Sequence, residues 1–261
     1  MSGELTRLQQ DADSGDIEAQ LQLADLYENG IGVVNDFGQA AYWYQLAVAQ
    51  GSVKAHSKLG QMYLRGVGVA KDEKQAANLL KFAAEKNDST AEANLAWCYQ
   101  HGLGVEPDLK KAFHYYLSAA KLGNAGARYN LAFMYSVGTG IEKNLLEAFH
   151  WYELAAKQGH MKAQLNLGLM LAKGEGIETD EAKAAYWYKE AANQGYAKAQ
   201  YNLALMYGGG VGVEQDDEAA FKWHQLAAEQ NYARAQFNIG LFYAHGLGIG
   251  QDYEQARHYF N

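Results

Sequence analysis

Length, composition and charge exclude several classes of protein. The chain has 261 residues, of which 49% are hydrophobic, with one proline, 28 glycines and a formal net charge of −8. A net negative charge gives no electrostatic reason to approach phosphate backbones, so we expect no nucleic-acid partner. Because no run of about 18 apolar residues is present, we also expect no membrane insertion.

The cysteine content and the first residues bear on location. Cys98 is the single cysteine, so no intramolecular disulfide can form, and residues 1–8 lack a cationic segment followed by an apolar one. The sequence therefore predicts a cytoplasmic protein. A periplasmic or secreted protein whose signal had been trimmed would give the same sequence.

A 36-residue repeat organises the whole chain. A G-x-G motif followed by Val or Ile begins at Gly30, Gly66, Gly102, Gly138, Gly174, Gly210 and Gly246. This uniform spacing predicts one array over residues 1–261 rather than two domains, with repeats beginning near 16, 52, 88, 124, 160, 196 and 232. Residues 1–15 align with the second half of a repeat and are predicted to form an N-terminal capping half-repeat.

The first half of each repeat is predicted to be a helix, called helix A. Apolar residues in the first repeat recur at i, i+4, i+7 and i+8, which is the spacing of one helix face. They are Ala19, Leu23, Leu26 and Tyr27. The glycine pair that follows supplies the torsions that end a helix without a Cβ penalty.

The second half of each repeat is predicted to be helix B. A short acceptor side chain that can cap a new helix follows each glycine pair. It is Asp36, Asp72, Asp108, Asn144, Asp180, Asp216 or Asp252. Neither helix can bury its apolar face alone, so successive pairs must stack. The predicted fold class is all-α, a superhelical solenoid of seven 36-residue helix-turn-helix repeats.

The last repeat is truncated, because Asn261 falls inside the seventh helix B. An apolar end without a cap predicts a trimmed chain, a homodimer contact through this end, or fraying of the last turns.

The repeat resembles the Sel1-like repeat, a relative of the tetratricopeptide repeat with a longer turn. The shared pattern is A-x-x-x-L-G/A-x-x-Y-x-x-G-x-G-V/I, then Asp, then A-x-x-W/Y-Y/F-x-x-A-A. Tetratricopeptide repeats, the alternative fold, have about 34 residues and lack the glycine pair. The resemblance implies a right-handed α/α superhelix that acts as an adaptor or scaffold, often in bacterial signalling, envelope assembly or host interaction, without a shared enzyme activity.

The strongest candidate for a binding site is a column of asparagines on helix A. Helical spacing places this column beside the core stripe, on the face expected to be concave. It reads Lys58, Asn94, Asn130, Asn166, Asn202 and Asn238 after Gln22. Such a ladder can hold the main chain of an extended peptide, as tetratricopeptide relatives do, or it can register neighbouring repeats.

Cations and aromatic residues border the asparagine column. One helical turn earlier lie Lys54, Lys162, Lys198 and Arg234, which are either a carboxylate grip or an ordinary solvated row. The aromatic candidates are Trp97 and Phe133, with Tyr129, Tyr201 and Phe237 in the adjacent column. They are either anchors for a partner or inter-repeat packing.

No residue pattern predicts catalysis, a cofactor or a metal site. The eight histidines show no metal-ligand spacing, and Cys98 shares its column with core residues such as Met62. Ser118 and Lys121 match the S-x-x-K pattern of serine β-lactamases, but S-D-N and K-T-G are missing.

These observations lead to a functional hypothesis with alternatives. The main hypothesis is a non-catalytic adaptor that holds an extended or acidic segment of a partner protein in its concave groove. The first alternative is a regulatory subunit that acts on an enzyme or receptor through the convex helix B surface around Tyr42 and its equivalents. The second is a bacterial host-interaction factor.

Overall fold

The computed structural model describes residues 2–260, which contain fifteen α-helices and no strand. Met1 and Asn261 lie outside the described residues. The prediction that Asn261 falls inside the seventh helix B therefore concerns a residue outside them. The helices are α1 (Ser2–Asp13), α2 (Ile17–Asn29), α3 (Phe37–Ala49), α4 (Val53–Arg65), α5 (Glu73–Ala84), α6 (Ser89–His101), α7 (Leu109–Lys121), α8 (Ala125–Val137), α9 (Leu145–Lys157), α10 (Met161–Lys173), α11 (Glu181–Asn193), α12 (Ala197–Gly209), α13 (Asp217–Glu229), α14 (Ala233–His245) and α15 (Tyr253–Phe260). The even-numbered helices are the seven copies of helix A, and α3 through α15 in odd numbers are the seven copies of helix B.

The helix boundaries confirm the predicted start and stop signals. Gly30 follows α2 in the left-handed region, at φ 67°, and its N–H donates to the carbonyl of Leu26. Helix α3 then begins after Asp36, whose carboxylate accepts the N–H of Gln39. Both caps recur down the chain, so each repeat is a helix-turn-helix unit as predicted.

The second glycine of every pair after the first has a separate role in packing. Gly104 has φ +70°, and a Cβ at this position would overlap the carbonyl group of Glu73, the first residue of α5. Gly140 meets the carbonyl of Leu109 in the same way, with a Cβ 2.6 Å from the oxygen. The turn of one repeat therefore rests directly on the start of helix B in the repeat before it.

The contacts separate the chain into two compact units. Unit 1 comprises the residues up to Ala127 with Thr139–Ile141, and unit 2 comprises Arg128–Gly138 with the residues from Glu142 onward. Each unit has its own apolar core, built from the predicted alanine and leucine columns of helix A and the alanines of helix B. A large residue of helix B, such as Tyr44 in unit 1 or Tyr188 in unit 2, fills the space between the alanines.

Candidate functional site

The asparagine column lies half-buried along helix A, with its amide groups partly engaged by the core. In unit 2, Asn166 Nδ2 donates to the Tyr152 hydroxyl at 3.0 Å, and Asn238 Nδ2 lies 3.1 Å from His224 Nε2. In both pairs the partner belongs to the preceding helix B, fourteen positions earlier in the sequence. These asparagines therefore register neighbouring repeats, and the amide oxygen is the group that each can offer a ligand.

Other members of the column differ in their partners. Asn202 forms the corresponding pair with Tyr188 in unit 2, at a geometry that leaves the amide nitrogen without a well-formed hydrogen bond. In unit 1, Asn94 donates instead to the carbonyl of Thr90 in its own helix, at 2.9 Å. Asn130 is half-buried. The asparagines thus recur regularly in the sequence, but their hydrogen bonds differ from repeat to repeat.

The two predicted cations of unit 1 are paired internally. Lys54 Nζ lies 2.7 Å from Asp25 Oδ2, and Lys58 Nζ lies 2.9 Å from Glu28 Oε2. The Tyr44 hydroxyl contacts both carboxylates, at 2.6 and 2.8 Å. Burial tends to raise the pKa of the Asp25 carboxyl, but the hydrogen bonds from Lys54 and Tyr44 outweigh it and lower this pKa. Both lysines therefore already have carboxylate partners.

The three predicted cations of unit 2 are arranged differently. Lys162, Lys198 and Arg234 are exposed, one on each of α10, α12 and α14. Within the described residues, none of the three forms an ion pair. Each lies one helical turn before a ladder asparagine, on the same side of its helix. Unit 2 therefore presents unneutralised cations where unit 1 presents ion pairs.

The aromatic candidates divide into exposed and packed side chains. Trp97, Phe133 and Phe237 are 45%, 42% and 55% exposed, so each offers ring surface to a partner. Tyr129 and Tyr201 are half-buried and pack against other rings of unit 2. The Tyr129 ring stacks on that of His160 at 4.7 Å, and the Tyr201 ring lies 5.2 Å from that of Tyr232. Inter-repeat packing is thus the observed role of these two tyrosines.

Cys98 and the side chains of metal-ligand type are the remaining candidates. Cys98 is buried, and burial raises the pKa of its thiol to about 11, which keeps it protonated at neutral pH. Residues 2–260 contain no group of three or more His, Cys, Asp or Glu side chains placed to hold a metal ion. In the same range, every helix is too short or too polar to cross a membrane.

We expect the stability of unit 2 to depend on pH because of His224. It is buried, and desolvation lowers the pKa of its imidazole from 6.5 to about 4. The unfolded chain therefore binds a proton that the folded chain excludes, so stability is lost as the pH falls from about 6.5 to about 4. Since Tyr152 and Tyr188 fill the same position, we expect His224→Tyr to reduce this loss, measured as the thermal midpoint at pH 7 and pH 4.5. His150→Tyr, an exposed control, should leave the loss unchanged.

A second polar ladder was missed by sequence reasoning. The residue that directly follows Ala19, or its equivalent alanine on helix A, is a buried glutamine in several repeats. Gln20, Gln164, Gln200 and Gln236 each donate Nε2 to the carbonyl eight residues earlier, near the end of the preceding odd-numbered helix. A second glutamine, thirty residues later, donates its Nε2 to the Oε1 of the first, as Gln194 does to Gln164 at 2.8 Å. The 36-residue recurrence of a glutamine beside a core alanine is the signal that could have revealed it.

Stacked helix pairs with exposed polar and aromatic columns define the class of α-helical repeat proteins, which generally bind other proteins. The Sel1 repeat model matches residues 17–52, 53–88, 89–124, 125–160, 162–196, 197–232 and 233–261. The chain therefore belongs to the Sel1 repeat family, as its sequence pattern predicted. No curated protein matches the chain.

Solved structures with this fold include bacterial proteins. The chain is 34% identical to c5321, a protective antigen present in uropathogenic Escherichia coli strains, with a TM-score of 0.90 over 98% of this chain and 55% of that one. It thus spans little more than half of that protein. A Sel1 repeat protein from Oxalobacter formigenes is 33% identical, with a TM-score of 0.74 over 99% of this chain and 75% of that one. A Sel1 repeat protein from Klebsiella pneumoniae shares the fold at 24% identity, with a TM-score of 0.53 over 77% of this chain and 98% of that one.

Proposed function

We propose that this chain is a non-catalytic adaptor that binds an extended, acidic segment of a partner protein along helix A of unit 2. The observation that carries the proposal is the row of exposed cations Lys162, Lys198 and Arg234, which have no ion-pair partner within the described residues. In a chain with a net charge of −8, unneutralised cations at one position in three successive repeats favour an anionic ligand.

The chemistry of the row suits an extended peptide rather than a small molecule. Each cation is adjacent to a ladder asparagine whose amide oxygen can accept a main-chain N–H, while the cation can bind an acidic side chain. The same two groups recur in three successive repeats, so a ligand with several carboxylates gains from binding more than one repeat. Exposed Phe133 and Phe237 add apolar surface for a partner's side chains.

The sequence and structure around Ser118 do not assemble the serine β-lactamase site that its S-x-x-K pattern suggests. The S-D-N and K-T-G motifs are missing from the sequence, and the Ser118 hydroxyl donates to Glu92 Oε1 at 2.7 Å in unit 1.

The helix B surface is a second candidate for partner binding. Tyr42 and Tyr186 are exposed, and each packs edge-on against the neighbouring Trp43 or Trp187, with ring centroids 5.0 and 4.9 Å apart. Such rigid aromatic pairs are suitable anchors for a partner protein. A role in host interaction rests on the similarity to c5321 and stays part of this second proposal.

Peptide selection tests the main proposal directly. A phage-displayed library of unstructured peptides is selected on the whole chain, and the tightest peptide is labelled for fluorescence anisotropy. We expect enrichment of Asp and Glu, and an affinity that falls at least about tenfold in Lys198→Glu/Arg234→Glu, because two attractive contacts become repulsive. Added salt should weaken binding to the unaltered protein. Asn166→Ala/Asn202→Ala should also weaken binding with little change in helicity.

A matched control separates the helix A row from net charge. Lys189→Glu/Arg257→Glu changes the charge of unit 2 by the same amount, but both residues are exposed on helix B. This variant should bind nearly as well as the unaltered protein. Equal losses of affinity in both double variants, or selected peptides without acidic residues, would contradict the proposal. Either result would favour the helix B surface around Tyr42 and Tyr186.

A further inference from the structure

Glu92 occupies a glutamine position of the second polar ladder. In four other repeats the side chain at this position is an amide that donates to the carbonyl eight residues earlier. The residue eight positions before Glu92 is Ala84, the last residue of α5. A carboxylate cannot donate a hydrogen bond, whereas a neutral carboxylic acid has one O–H donor and can replace the amide.

The hydrogen bonds around Glu92 fit the neutral acid. Its side chain is buried, with the residue 4% exposed, and Oε1 accepts the hydroxyl of Ser118 at 2.7 Å. In three other ladder repeats, a glutamine thirty residues later bonds the ladder side chain, whereas Leu122 stands thirty residues after Glu92 and Ser118 bonds Glu92 instead. Oε2 is buried and has no hydrogen-bond partner among the described residues. A buried carboxylate oxygen without a donor is costly, while a protonated one can donate.

We propose that Glu92 is a protonation-dependent joint between α5 and α6, in which the neutral acid donates its Oε2 proton to the Ala84 carbonyl and the ionised form loses this bond. The joint makes unit 1 more firmly packed at acidic pH than at alkaline pH. This inference is independent of the binding function proposed for unit 2.

The charges around Glu92 agree with this assignment. Burial is the largest influence on its carboxyl and raises the pKa, the carboxylate of Asp88 raises it further, and the Ser118 hydroxyl opposes both. The cavity above Glu92 and Ser118 has a volume of about 550 Å³. It is lined by Lys81, Lys111 and His114, with Tyr99 and Tyr115. Lys111 Nζ lies 3.3 Å from Asp108 Oδ2, and this ion pair weakens the ability of Lys111 to stabilise an ionised Glu92.

The sign of the pH dependence follows from the raised pKa. Between the pKa of the unfolded chain and that of the folded chain, the folded state holds a proton that the unfolded state has released. The stabilisation is therefore complete below the ordinary glutamate pKa of 4.5 and is lost as the pH rises through the higher folded value. Glutamine at this position donates at every pH.

The test compares Glu92→Gln with the unaltered chain across pH 4 to 8. Carbon-13 NMR of the Glu92 carboxyl should give a pKa above 4.5. Hydrogen exchange at the amides of Asn87 and Asp88, where α5 meets α6, should show equal protection in both proteins at pH 4 and greater protection in the variant at pH 8, beyond the intrinsic pH effect on exchange. A Glu92 pKa at or below 4.5, or protection that does not diverge with pH, would overturn the proposal.

Two further variants separate the ladder from simple charge removal. Glu85→Gln removes an exposed carboxylate close to the same turn and should not alter the pH profile. Gln164→Glu places the acid in a glutamine repeat of unit 2, where Nε2 donates to the Ala156 carbonyl. It should fold as the unaltered chain does at pH 4 and lose protection near His160 as the pH rises. If Glu85→Gln reproduces the effect of Glu92→Gln, the ladder position is not its cause.

Discussion

Gly104→Ala is expected to destabilise unit 1 by about 2–5 kcal/mol, measured by chemical unfolding followed by far-UV circular dichroism. A left-handed backbone costs a residue with a Cβ about 1–2 kcal/mol. The new methyl group would also overlap the main chain of Glu73, and overpacking of this kind adds roughly 1–3 kcal/mol. Because the obstacle is backbone rather than a flexible side chain, the turn must move away from α5.

Gly32→Ala is the matched control for this prediction. Gly32 is the second glycine of the first pair and has nearly the same torsion, φ +73°, but no atom lies within 4 Å of a Cβ built there. The variant should lose only the torsional part, about 1–2 kcal/mol. Equal destabilisation by the two substitutions would show that backbone torsion, and not contact between repeats, selects the second glycine.

Leu203→Ala is expected to destabilise unit 2 by about 2–5 kcal/mol, the usual cost of removing a fully buried leucine. Leu203 lies on α12 with no exposed surface, in the core cluster that also contains Leu167 and Tyr188. Truncation leaves a cavity between repeats that the surrounding helices cannot fill without losing their own contacts. Urea unfolding should have its midpoint at a lower urea concentration, and hydrogen exchange should show reduced amide protection in α10–α13.

The same substitution two residues later provides the comparison. Leu205 is also on α12 but is 46% exposed, on the side that carries the ladder asparagines. Leu205→Ala should change stability by no more than about 0.5 kcal/mol, as is usual at exposed positions. If the two variants were equally destabilised, the assignment of the Leu203 column to the core and of the Leu205 column to the surface would be wrong.

The candidate site could be predicted only in part. The sequence identified which residues share a column, because a uniform repeat places equivalent residues on equivalent faces. It did not reveal that Lys54 and Lys58 are paired with Asp25 and Glu28, since these partners lie about thirty residues away and belong to the preceding repeat. For the same reason, the internal bonds of Asn166 and the glutamine ladder became clear only in the structure.

The sequence by itself determined the local structure of this protein. The 36-residue period, the helical spacing of Ala19 and Leu23, and the Asp36 cap specify helices and turns through interactions within a few residues of each other. Tertiary structure decided what crosses between repeats. The overlap that makes Gly104 necessary and the bond from Ser118 to Glu92 depend on distances between separate helices, which stacking fixes and local propensity does not encode.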